Sequence, residues 1–259
     1  MAKQPHLLVE PGDVHEIVLV PGDPDRVERI AAQCDDREHV SQNREYSLVN
    51  AHYEGVPLSI CSTGIGCPSA AIAIEELHNV GVETVIRVGT TGALQRGIEI
   101  GDMIVATGAG KDEGTTKRYE SETVPAVPDY RVLSALVDAA EAELRAAEPA
   151  NGTAMSIAED VHVGPIVTDD AFYAETEAYV RDWEAAGLLS IEMEAAAIFT
   201  LARRKGMRAG AICTVDGNLV EGTQKGETDD DELPAKAQDN VERMIGIALD
   251  AVVDLAEPE

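Results

Sequence analysis

Aromatic and basic side chains are both scarce in this chain of 259 residues. Phe, Tyr and Trp make up 3% of it, so a core has to be built from Val, Ile, Leu and Ala. Lys and Arg number 20 against 48 Asp and Glu, a formal net charge of −28. That shortage of cations argues against nucleic acid as a partner, because phosphate backbones are bound by Lys and Arg. It argues equally against an anionic membrane surface. The acidic surplus fits a halophile, where salt screens self-repulsion and acidic surfaces stay hydrated. The four cysteines, Cys34, Cys61, Cys67 and Cys213, form no CxxC pair and no zinc-finger spacing. They read as free thiols of a reducing compartment. No apolar run approaches membrane-spanning length, and the opening MAKQPHLLVEPGD contains no signal-peptide core, so the expected location is the cytoplasm.

What is present is an alternation of short apolar runs and amphipathic stretches. Strands are expected at 16–20, 56–61, 84–88, 102–106, 188–191 and 207–215, with an extended stretch at 158–167. Helices are expected at 23–34, 68–80, 130–147, 172–186, 193–205 and 233–255. Segment 111–128 is polar and turn-rich, and the acidic stretch 227–232 reads as a loop. The chain shows no internal repeat and no separating linker. One α/β domain over residues 1–259 follows, three layers with a mixed central sheet.

Loops rich in Gly and Thr close several strands: Pro21-Gly22-Asp23-Pro24, Thr63-Gly64-Ile65-Gly66 and Gly89-Thr90-Thr91-Gly92. Ligands of α/β sheets bind at such strand ends, and glycines let backbone N–H groups close on an anion. Arg26, Arg44 and Arg87 stand beside these loops. Arg87 lies inside the apolar strand Val85-Ile86-Arg87-Val88, where it needs either a carboxylate or a ligand phosphate. Glu192, Met193 and Glu194 mark the junction of an apolar strand and an Ala-rich helix. A carboxylate there can serve the helix start or accept the two vicinal hydroxyls of a ribose.

The strings VLVPGDPDRVERIA, CSTGIGCPSAAIAIEEL, IRVGTTGALQRGIEIGDMIVATGA and SIEMEAAAIFTLARRKGMRAGAICTV resemble the nucleoside phosphorylase family, in that family's order and nearly end to end. The family includes uridine phosphorylases and hexameric purine nucleoside phosphorylases, and STGIG and RVGTTGA are closest to the uridine branch. The resemblance implies phosphorolysis of a nucleoside, uridine first, to free base and ribose 1-phosphate, with inorganic phosphate as co-substrate and no cofactor for the chemistry. It assigns Gly22, Arg26, Arg87 and Thr90 to phosphate, and Arg44 to the phosphate site of a neighbouring subunit. It gives Glu194, with Met193 and Glu192 beside it, to the ribose hydroxyls, and His6 to the 5′-hydroxyl across a dimer interface. Thr90, Thr91, Gly92 and Phe172 fall at nucleoside-contacting positions. Glu45, Ile65 and Ser69 match positions that bind a monovalent cation, such as potassium, between subunits. A homo-oligomer is implied, a dimer at least and a hexamer built as a trimer of dimers.

The base code departs from both branches. Where uridine phosphorylases carry a Gln and an Arg after the aromatic, this chain has Thr176 and Ala178. The acid that protonates a purine falls one residue early, as Asp216 before Gly217. Asp216 is either a general acid, grouped with Arg87 and Glu194 as catalytic, or a turn-forming residue. A purine nucleoside phosphorylase is therefore the alternative, followed by a nucleosidase using water and by a non-catalytic nucleoside-binding protein. On this reading Arg87→Ala abolishes phosphate dependence and leaves the fold largely intact.

Overall fold

The computed structural model describes residues 3–146, 160–223 and 235–256. Nine strands form one sheet: β1 (Ile17–Val20), β2 (Asp36–Asn43), β3 (Tyr46–Tyr53), β4 (Val56–Cys61), β5 (Thr84–Ala93), β6 (Met103–Asp112), β7 (Val161–Asp169), β8 (Ser190–Glu192) and β9 (Arg208–Asn218). Their order is β2-β3-β4-β1-β5-β8-β7-β6-β9, and β5 also pairs with β9. The second half of the sheet thus closes on itself, which removes an exposed edge. Both parallel and antiparallel neighbours occur, such as β1–β5 and β3–β4. The expected mixed sheet is present.

Six α-helices are present among the described residues: α1 (Pro24–Ala31), α2 (Cys67–Asn79), α3 (Tyr130–Ala146), α4 (Glu177–Ala185), α5 (Ala195–Lys205) and α6 (Ala235–Ala256). On one face of the sheet α2 and α5 pack through Ile74, Leu77, Ile198 and Leu201. On the other, α1, α3 and α6 pack through Val27, Ile30, Leu136, Ile245 and Val252. Two apolar layers around a sheet buried on both sides explain why β1 and the start of β5 read as continuous apolar runs. The four cysteines are free, three of them fully buried.

Several element boundaries differ from the sequence reading, each for a local reason. The hairpin β2–β3 is absent from that reading because β2 is polar and mostly exposed along its length, leaving no period-two apolar face. Its tight turn places Arg44 at φ 54°, a left-handed conformation that costs a non-glycine residue about 1–2 kcal/mol. β5 does not stop at Val88 but runs through the Gly-Thr-Thr-Gly segment to Ala93. β6 likewise continues to Asp112, shortening the expected surface excursion. Residues 172–186 are not one helix. A short 3₁₀ turn at Phe172–Ala174 is followed by α4, whose start is fixed by Thr176 Oγ1 accepting from the Tyr179 N–H. α1 stops at Ala31, three residues early, and α5 starts two residues late, at Ala195. The acidic stretch 227–232 and residues 158–159 lie outside the described residues.

Candidate active site

The carboxyl ends of β1, β5, β8, β7 and β9 open onto one cleft of about 620 Å³. Its floor is built from the loops that the sequence singles out. Thr63 N–H donates to Pro21 O at 2.8 Å, tying the loop after β4 to the loop after β1. Gly22 comes so near that a Cβ there would sit 3.3 Å from Gly64 O. Asp23 caps α1 by accepting from the Asp25 N–H, and Pro24 starts the helix without a wasted donor. α1 then carries Arg26 inward, where its Nη1 donates to Val88 O at 3.2 Å.

Arg87 on β5 is the centre of the site. It is 3% exposed, and Glu192 and Glu194 are 5% and 4% exposed. Arg87 Nη2 lies 2.5 Å from Glu194 Oε2, and Arg87 Nε lies 2.8 Å from Glu192 Oε2, close but off the hydrogen-bond axis. The open question of an internal partner for Arg87 is answered: it has two. Gly89 makes room for them, since a Cβ there would meet the guanidinium at 2.9 Å.

The two carboxylates are held differently. Glu192 Oε2 accepts from the N–H groups of Glu194 and Ala195 at 2.8 and 2.9 Å, and its Oε1 accepts from Thr168 Oγ1 at 2.5 Å. It is thereby committed to the start of α5. Glu194, besides its Arg87 contact, accepts from the Gly66 N–H at the start of α2, at 2.6 Å. Burial pushes the Glu194 carboxyl above the ordinary range, against the pull of Arg87. Burial alone would lower the Arg87 pKa, but Glu194 and Glu192 raise it, so this guanidinium stays charged. For Arg26, burial and the nearby Arg87 cation push the pKa down. Among the described residues, Arg26 Nε, Arg87 Nε and Arg87 Nη1 are buried without a hydrogen-bond partner. Unsatisfied guanidinium donors from two arginines in one cleft call for an anion.

Gly22, Arg26, Glu45, Ile65, Ser69, Arg87, Thr90, Thr91, Gly92, Phe172, Glu192, Met193, Glu194 and Asp216 all line the cleft. Some of these side chains are already engaged. Thr91 Oγ1 donates to Ile191 O at 2.7 Å. Ser69 Oγ lies 3.1 Å from Glu45 Oε1 and also contacts Thr63 O. His6 and Arg44 are not part of this cleft. His6 pairs with Glu76 at 2.6 Å, and its carbonyl accepts from the side chain of Asn43, next to Arg44. The two residues therefore occupy one outer edge of the molecule.

Asp216 reaches the cleft through an irregularity. β9 pairs with β5 in parallel as Thr91↔Val215, then Gly92↔Gly217. Asp216 is the extra residue of a β-bulge, a device that re-aims a side chain. The sequence reading did not single out Glu175 or Asp169, both of which line the cleft. They come from the end of β7 and the segment after it, where the sequence carries only a generic acidic pattern.

The chain matches the Phosphorylase superfamily over residues 16–254. The chain belongs to that superfamily. This phosphorylase is 66% identical over 255 residues to the guanosine phosphorylase of Halorubrum lacusprofundi, covering 98% of this chain and 100% of that one. It is 42% identical to the uridine phosphorylase of Thermococcus kodakarensis, over 84% of this chain and 78% of the other. Among solved structures, the purine nucleoside phosphorylase of Toxoplasma gondii superposes with a TM-score of 0.84 at 30% identity, covering 98% and 97% of the two chains. The uridine phosphorylase of Vibrio fischeri superposes with a TM-score of 0.83 at 35% identity, covering 98% of each. The phosphorylase is thus a nucleoside phosphorylase, a pentosyltransferase that moves a sugar from a base to phosphate. No helix among the described residues is long and apolar enough to cross a membrane.

Proposed function

We propose that this nucleoside phosphorylase acts on 6-oxopurine nucleosides, guanosine first, and not primarily on uridine. The observation that carries the reading is the similarity to a guanosine phosphorylase across essentially the whole of both chains. The bulged Asp216 supports it by bringing an acid to the cleft, at the end where a purine N7 would need a proton. It replaces the uridine preference carried by the STGIG and GTTGA loops, because the guanosine phosphorylase is similar over nearly the whole chain at 66% identity and the uridine phosphorylase of Thermococcus kodakarensis over 84% of it at 42%.

In this reading phosphate takes the unsatisfied donors of Arg26 and Arg87, with Gly22 and Thr90 closing around it and Arg44 added by a neighbour. Glu194, with Met193 beside it, accepts the ribose hydroxyls, and a neighbour's His6 meets the 5′-hydroxyl. Glu192, its oxygens already engaged, positions Arg87 instead of touching the sugar. Phe172 packs on the nucleoside. The C1′–N9 bond breaks with its electron pair passing into the base, a proton meets N7 at Asp216, and a phosphate oxygen bonds to C1′. Catalysis is chiefly positioning and preorganised charge. Glu45, Ile65 and Ser69 offer a carboxylate, a backbone carbonyl and a hydroxyl, the hard oxygens that suit a monovalent cation such as potassium. His6 and Arg44 can serve a site only on another subunit, so the active form is a homo-oligomer.

Ribose 1-phosphate formation from guanosine, inosine, adenosine and uridine, with and without phosphate in high potassium chloride, tests this reading. Turnover of guanosine and inosine that depends on phosphate is expected. Turnover confined to uridine would overturn the base assignment, and turnover indifferent to phosphate would make the protein a hydrolase.

A further inference from the structure

The base end of the cleft contains a carboxylate that the reaction as described does not use. The phosphate end is made by β1 and β5, while Asp169, Phe172 and Glu175 come from β7 and the segment after it. β7 is three strand spacings from β1 in the sheet order, roughly 14 Å along the sheet. A nucleoside anchored by its ribose at Glu194 therefore extends its base toward this segment. Most polar side chains there are already engaged. Thr176 caps α4, and Asp169 Oδ2 accepts from the Ala171 N–H at 3.3 Å. Ala178 has no polar group. Glu175 remains, half-buried and without a hydrogen-bond or ion-pair partner among the described residues.

We propose that Glu175 reads the base, its carboxylate accepting the N1–H and the 2-amino N–H of guanine together. This inference rests on the purine reading above and assigns its specificity. The two adjacent donors of guanine match the two oxygens of one carboxylate. Hypoxanthine offers N1–H alone. Adenine presents the bare N1 acceptor beside its amino group. Uracil flanks N3–H with two carbonyl oxygens, which a carboxylate repels. The same acid thus selects guanine and rejects uracil. Asp216 would meet the opposite, N7 edge of the base, from β9 on the far side of β6.

Burial and the nearby Asp169 push the Glu175 carboxyl up to about 7. It is then ionised above pH 7 and protonated below it. The other acids of the cleft are Asp23, Glu45, Asp169, Glu192, Glu194 and Asp216, with Arg26 and Arg87 as its cations. Their titration affects guanosine and inosine alike, so the ratio of kcat/KM for these two substrates isolates Glu175.

The test compares that ratio in the wild-type protein and in Glu175→Gln, at pH 6 and pH 8. At pH 8 the wild type is expected to prefer guanosine by about tenfold or more, the effect of one hydrogen bond to a charged acceptor. The preference should shrink at pH 6 and vanish at both pH values in Glu175→Gln. Calorimetric binding of free guanine and hypoxanthine in the presence of phosphate should show the same loss, independent of turnover. A ratio unchanged by the substitution, or a wild type without preference, would overturn the proposal. Wild-type protein that cleaves neither guanosine nor inosine would instead overturn the purine reading beneath it.

Discussion

Arg87 shows how much one residue can decide. In the sequence it is an anomaly, a guanidinium in an apolar strand, and its cost of burial already requires an anionic partner. In the structure it joins two buried carboxylates and still keeps Nη1 without a partner. That changes the expected outcome of Arg87→Ala. Removing the cation leaves Glu192 and Glu194 buried side by side without compensation, a loss of about 3–5 kcal/mol of stability. The substitution should therefore lower the unfolding midpoint in a denaturant titration as well as abolish phosphate saturation. Unchanged stability would mean that the triad is not held as described. Glu175 is the opposite case. No motif marks it, because an acid among many acids carries no sequence signal, and only its place in the cleft distinguishes it.

At the scale of elements, strand-end loops and helix caps were legible. Asp23 caps α1 ahead of Pro24, and Pro68 suits the first turn of α2, which has no side-chain cap. The hairpin β2–β3 was not legible, since β2 is polar and mostly exposed while β3 is buried on both faces along its first half, and neither alternates cleanly. The bulge in β9 was not legible either. Asp216 falls one residue early in the sequence, and in the structure it is the extra residue of that bulge and lines the cleft. If Asp216 serves the leaving base, Asp216→Asn should lower kcat for guanosine by about 10²–10⁴-fold. The KM for phosphate should change little, because the phosphate donors belong to other elements. Steady-state kinetics with both substrates varied would check this, and an unaffected kcat would reduce Asp216 to a turn residue.

At the scale of the whole molecule, the excess of 28 negative charges dominates. Acidic side chains outnumber basic ones 48 to 20, and their repulsion is long-range at low salt, where the Debye length is about 10 Å at 0.1 M. At 1 M it falls to about 3 Å. Raising potassium chloride over that range should raise the Tm by roughly 5 °C or more, corresponding to a stability gain of one to a few kcal/mol. Thermal melts across the salt series would read the effect. A flat response would show that the acidic surface is neutralised in some other way.

Composition and local pattern by themselves determined the α/β class, the free cysteines, the Gly-Thr strand-end loops and the need of Arg87 for an anion. These follow from short-range physics: periodicity, capping and the cost of burying charge. Only the tertiary structure decided which carboxylates meet Arg87, which of them is committed to a helix start, and that Glu175 and Asp216 face one cleft. Those facts depend on strands distant in sequence closing side by side, and on a one-residue bulge that no local pattern encodes.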